Sequence, residues 1–123
     1  MILGVGIDVV HISRLTRWRN TKGLMERFFH EEELEAAIKR GSGMETSLAA
    51  RFAAKEAFGK ALGTGLNGIT LKDIKVKNNH NGKPEIHLYG TALRAYEKTG
   101  GNALHLSLTH EKDNAVAIVI IEE

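Results

Sequence analysis

The chain has 123 residues, no cysteine, one proline, 42% hydrophobic residues and a formal net charge of +2 at pH 7. That is one domain, residues 1–123, with a small but sufficient core; it excludes a disulfide framework or a thiolate metal site. A charge this mild gives no argument for nucleic acid. The longest clearly apolar run, Ala115 to Ile121, is seven residues and far too short to span a bilayer. No basic segment followed by an apolar stretch and a cleavage site opens the chain, so a soluble cytoplasmic protein is expected, with no membrane association.

Ile2 to Val10 reads as a strand. Its even positions, Gly4, Gly6, Asp8 and Val10, share one face. Leu3, Val5, Ile7 and Val9 share the other, which suits a core. Glycines at two neighbouring same-face sites leave room for something to lie close to Asp8. His11 to Asn20 reads as a basic helix. Five basic residues stand between His11 and Arg27, namely Arg14, Arg17, Arg19, Lys22 and Arg27, against one acid, Glu26. On that helix Arg14, Trp18 and Lys22 follow an i, i+4, i+8 line with Arg17 beside them. A Trp exposed between arginines resembles a binding anchor, so these four residues form a candidate partner face; a merely solvated basic face is the alternative. His30 to Arg40 reads as a second helix, with Glu31, Glu32, Glu33 and Glu35 at its start and Lys39 and Arg40 at its end, as the helix dipole favours.

Residues 45–62 read as the main helix. It is apolar nearly all round, and such a helix is normally buried. Its charges therefore stand out, because buried Lys, Arg and Glu are rare unless paired or ligating. Glu56 and Lys60 are i,i+4 and share a side with Ala49 and Ala53, where a ligand could approach closely. An ordinary i,i+4 salt bridge is the competing explanation. Lys55 sits among Leu48, Phe52, Gly59 and Leu62; it snorkels or reaches a ligand. Gly63-Thr64-Gly65 then supplies flexible backbone. Leu71 to Lys77 and Lys83 to Tyr89 read as strands joined through Asn81-Gly82, a strong hairpin signal. Thr91 to Lys98 reads as a short amphipathic helix, and Leu104 to Thr109 and Asn114 to Ile121 as two closing strands. The order is that of an α+β domain with an antiparallel sheet around a long central helix.

Asp8 and Glu56 are the candidate oxygen ligands. Mg²⁺ prefers one or two protein carboxylates and completes its shell with water and substrate phosphates. Asp8 could equally cap the helix that follows it. Lys60, one turn beyond Glu56, could balance charge developing on a phosphate leaving group. Arg51 and His110 could be further phosphate contacts, or a snorkelling arginine and a surface loop residue.

Three motifs in order then resemble a known family: Gly6-Ile7-Asp8-Val9-Val10, Arg51-Phe52-Ala53-Ala54-Lys55-Glu56-Ala57 with Lys60, and Ser107-Leu108-Thr109-His110. They look like the small phosphopantetheinyl transferases of the holo-acyl carrier protein synthase type, over essentially the whole chain. The resemblance implies an enzyme with that fold which moves the phosphopantetheine arm of coenzyme A onto a serine of an acidic acyl carrier protein. Adenosine 3′,5′-bisphosphate is released, in support of fatty acid biosynthesis. It implies Asp8 and Glu56 as Mg²⁺ ligands and Lys60 as the phosphate-facing lysine, these three being the catalytic set. Arg51 and His110 are implied at the 3′-phosphate of coenzyme A, and Lys55, Gly63, Thr64 and Gly65, singled out above from the residues themselves, are further candidate contacts to it. The resemblance further implies a homotrimer with sites between subunits. Many relatives carry an acid where this chain has His11, which alters the local electrostatics but not the metal pair. The serine proton has two candidate acceptors, Glu56 and a metal-bound water held by Asp8. The rivals are a non-catalytic basic module binding an acidic protein or RNA through residues 14–27, and another Mg²⁺-dependent enzyme acting on nucleotides.

Overall fold

The computed structural model describes residues 1–123. Strand β1 (Ile2–His11) leads into α1 (Ser13–Arg19), α2 (Leu24–Phe28) and α3 (Glu31–Ile38); a 3-10 turn then opens α4 (Met44–Leu62). A second 3-10 turn precedes β2 (Ile74–Asn78) and β3 (Pro84–Leu88), followed by α5 (Gly90–Thr99), β4 (Ala103–His110) and β5 (Asn114–Glu122). The domain is α+β, as expected, but its strands form two antiparallel sheets, β1-β5-β4 and β2-β3. Helix α2 is an addition to the expected order, and the first helix starts two residues later than expected because β1 runs on to His11. The β2–β3 connection closes over residues 79–83, where Asn79 Oδ1 accepts from the backbone N–H of Asn81 and of Lys83 and Gly82 takes φ +83°. No helix is long and apolar enough to cross a membrane.

Helix α4 is the spine. Leu48, Ala49, Ala53, Ala54, Ala57 and Phe58 are all buried, which is what an all-round apolar helix requires. It lies on the three-stranded sheet through the glycine face of β1. A methyl group placed at Gly4 would sit 1.9 Å from the Ala61 carbonyl oxygen, and one at Gly6 1.8 Å from that of Ala57. Backbone therefore rests on backbone at these two points.

This reverses one expectation. Leu3, Val5, Ile7 and Val9 do not enter the core; they are exposed, from 37% at Leu3 to 56% at Ile7. The hydrophobic alternation was a sound strand signal, but close packing favoured the side with no side chains in the way. On β5 the same inward face carries Ala115, Ala117, Val119 and Ile121, all buried. The opposite face adds Val116, Ile118 and Ile120, in register with Val9, Ile7 and Val5.

Candidate active site

Two groups of polar residues form on different sides of α4. The first lies at the β1–α4 contact. Asp8 is on the inward face of β1, and its Oδ1 accepts from Lys60 Nζ at 3.0 Å. The same ammonium donates to the Ile7 carbonyl at 2.9 Å. Glu56 is half-buried one helical turn before Lys60. Its carboxyl is pushed above the ordinary range, first by burial and then by the charge of Asp8, while Lys60 and Arg14 pull the other way. Two carboxylates thus feel one another's charge in a partly dry setting, and the only ion pair at the site is to one of them. The expected Glu56–Lys60 pair does not form, because Lys60 reaches across to Asp8.

Arg14 belongs to this group. Its guanidinium stacks 5.0 Å from the Trp18 ring centroid and 5.8 Å from that of Phe52. Trp18 itself is not a free-standing anchor. It is half-buried and packs edge-on against Phe28 at 5.1 Å and Phe52 at 4.8 Å. Lys22 leaves the expected line as well: α1 ends at Arg19, so Lys22 stands in the turn beyond it. Arg17 is exposed on α1.

The second group surrounds Arg51, which is buried with 6% exposure. Its Nε donates to the Val76 carbonyl at 3.4 Å, and Nη1 donates to Ser47 through both the carbonyl and the hydroxyl. Burial pulls its pKa down; Glu33 acts in the other direction and Arg40 in the same one. Arg51 lines a cleft of about 680 Å³ with His110, Arg40, Ser42, Thr46 and Asn78. The structure brings Arg51 and His110 together there. Asp8, Glu56 and Lys60 do not line it. Positions 51 and 56 stand about 140° apart around a helix, so α4 itself separates the two groups.

Lys55 is corrected outright. It is 0% exposed, and its ammonium donates to Glu33 Oε1 at 2.8 Å, to the Leu71 carbonyl at 3.0 Å and to the Ile74 carbonyl. Every hydrogen is taken, and no ligand can reach it. Gly63, Thr64 and Gly65 close α4 beyond Lys60. Gly63 takes φ +84° and Gly65 +69°, and Gly65 N–H donates to the Gly59 carbonyl at 2.9 Å. Thr64 lines a separate cleft with Arg94 and Lys98.

The family model for the 4′-phosphopantetheinyl transferase superfamily matches residues 4–119. The chain belongs to that superfamily. It is similar to the holo-[acyl-carrier-protein] synthase of Treponema denticola, at 62% identity over 99% of both chains, and to that of Treponema pallidum, at 51% over 99% of this chain and 97% of the relative. The crystal structure of holo-[acyl-carrier-protein] synthase from Neisseria meningitidis matches with TM-score 0.87 and 37% identity over the whole of both chains. That of Bacillus anthracis in complex with CoA (3′,5′-ADP) matches with TM-score 0.82 and 36% identity over 99% of this chain and 97% of that one.

Within this phosphopantetheinyl transferase, two features were not read from the sequence. In sequence Glu33 is one of four acids at a helix start, and nothing local marks it as the buried partner of Lys55. The His30–Glu33 spacing does carry a local signal, a capping box, and the structure has it: Glu33 Oε1 accepts from His30 N–H, and His30 Nδ1 from Glu32 N–H. The partnership across 22 residues carries none. Arg40, Ser42 and Ser47 on the cleft wall are ordinary polar residues in sequence, and only the fold brings them beside Arg51.

Proposed function

We propose that this chain transfers the 4′-phosphopantetheine arm of coenzyme A to a serine of an acidic apo acyl carrier protein, as part of fatty acid biosynthesis. One observation carries the reading: a carboxylate pair with an adjacent ammonium, Asp8, Glu56 and Lys60, on a domain whose other face holds a basic cleft around Arg51 and His110. A pyrophosphate ester with a distant 3′-phosphate needs both.

Two neighbouring carboxylates supply hard oxygen donors that suit Mg²⁺, and Asp8 and Glu56 would hold it. Bound there, Mg²⁺ supplies charge neutralisation at the phosphates. The chain's own residues do the rest. Lys60, whose ammonium is held beside Asp8, would offset charge on the leaving group. The serine oxygen forms a bond to the β-phosphorus while the bond from that phosphorus to the bridging oxygen breaks. Adenosine 3′,5′-bisphosphate leaves with the electron pair, and the serine proton passes to a base. Glu56 is the candidate acceptor on the chain itself, with a water held beside Asp8 as the alternative. Arg51 and His110 receive the 3′-phosphate. Gly63, Thr64 and Gly65 are read as coenzyme A contacts, and Arg14, Arg17 and Lys22 as the charges that meet the carrier, with Trp18 as their support.

The active form is read as an oligomer, its site built between copies. The separation of the two groups by α4 supports this, and so does the apolar outer face of β1, where Leu3, Val5, Ile7 and Val9 are exposed side by side. The count of three comes from the family resemblance. Incubation with coenzyme A, Mg²⁺ and apo carrier protein, followed by mass spectrometry, tests the reading. The carrier should gain the phosphopantetheine mass. No gain, or full gain in excess chelator, rejects the transfer or its metal.

A further inference from the structure

The Glu33–Lys55 pair is the one buried charge cluster that the proposed reaction leaves unused. Both side chains are fully buried, at 2.8 Å. Such a pair is expensive to bury, and its net contribution to stability is often nil, which makes its exact wiring informative.

Strand β2 has only one partner, β3, so its other edge must find hydrogen bonds elsewhere. At Val76 both open groups are taken by side chains. The N–H donates to Glu33 Oε2 at 3.0 Å, and the carbonyl accepts from Arg51 Nε at 3.4 Å. Two residues earlier, the Ile74 carbonyl accepts from Lys55. Glu33 Oε1 meanwhile accepts from Lys55 and from His30 N–H at 2.9 Å. One carboxylate therefore ties the start of α3, the middle of α4 and the edge of β2 together. The peptide unit it fixes is the one next to the carbonyl that orients Arg51. Val76 and Arg51 both line the cleft.

We propose that Glu33, with Lys55, is a positioning residue: it holds the β2 edge at Val76 so that Arg51 presents its guanidinium to an anionic group in the cleft. This rests on the reading of Arg51 as a 3′-phosphate contact. Removing the Glu33 charge leaves Lys55 uncompensated and releases the Val76 N–H, and the strand edge moves with the acceptor of Arg51 Nε. The bond from Arg51 to Val76 is long, so a small displacement breaks it.

The test is calorimetric binding of adenosine 3′,5′-bisphosphate against 5′-AMP. Their affinity ratio isolates the 3′-phosphate. In Glu33→Gln the ratio should fall about tenfold, as for loss of one charge-assisted contact, with 5′-AMP binding unchanged. Glu33→Leu/Lys55→Met replaces the pair by apolar side chains of similar volume and leaves no unpaired charge; it should show the same loss while still melting cooperatively. This double variant decides the matter alone if Glu33→Gln does not fold. Arg51→Ala is the reference. If Arg51→Ala leaves the ratio intact, the 3′-phosphate assignment itself is wrong. If Arg51→Ala abolishes the ratio but a folded pair variant keeps the wild-type value, positioning is overturned and the pair serves the fold only.

Discussion

Gly6→Ala is the most demanding test of how this domain is put together. The added methyl would lie 1.8 Å from the Ala57 carbonyl oxygen and 2.7 Å from the Ala61 nitrogen. Ordinary contact begins near 3.4 Å, so β1 and α4 must separate locally by about 1.6 Å, and no flexible side chain can absorb this. Overpacking against yielding side chains costs about 1–3 kcal/mol. Against backbone the upper end applies, and about 3 kcal/mol lowers the melting temperature by on the order of 10 °C in a domain of this size. The same movement pulls Asp8, two residues on, away from Lys60, whose 3.0 Å bond is lost well before 4.5 Å. Calorimetric melting and carrier-loading kinetics should therefore fall together. As a control, Gly82→Ala meets no atom within 4 Å and only the strain of φ +83°; it should cost about 1 kcal/mol with little change in transfer. A Gly6→Ala variant with wild-type melting temperature and turnover would refute the backbone-on-backbone packing.

Asp8→Ala and Glu56→Ala should each remove most transfer, a loss worth several kcal/mol of charge stabilisation, while melting stays within a few degrees; steady-state loading with and without chelator checks this. Arg51→Ala and His110→Ala should lose about tenfold more efficiency with coenzyme A than with dephospho-coenzyme A, measured as kcat/KM on both. Arg14→Glu should raise KM for the carrier and flatten its salt dependence. Because Arg14 also stands near Glu56, kcat should be measured alongside. Ile7→Lys, on the open face of β1, should give a smaller species by light scattering, with activity lost because the site is no longer completed.

Much of this architecture was legible because it depends on local pattern. Helix α4 was readable from its all-round apolar character, the closing strands from short apolar runs, and the hairpin from Asn81-Gly82. Glu56 and Lys60 stand out in the sequence because charges in so apolar a helix need a reason, and Asp8 because it follows two glycines on one strand face; that Lys60 pairs with Asp8 and not with Glu56 is visible only in the fold. What was not legible depended on contacts far apart in sequence. The inward face of β1 was misassigned because glycines look like absence, yet here they are the packing surface. Lys55 was counted toward the ligand because its partner, Glu33, comes 22 residues earlier on another helix. Trp18 reads as exposed in sequence because the rings that cover it, Phe28 and Phe52, lie on two other elements.

The apolar outer face of the three-stranded sheet also sets how this protein should behave on dilution. Strand β1 is both an edge strand and the carrier of Leu3, Val5, Ile7 and Val9. If the chain works as the proposed oligomer, a copy released from it would expose a pairing edge and a greasy surface at once, the combination that seeds misassociation. Folding and assembly are then linked by mass action, so the melting temperature should climb with protein concentration. Catalytic competence becomes a property of how much chain is present as well as of each molecule, and dilute stocks should lose activity faster than concentrated ones.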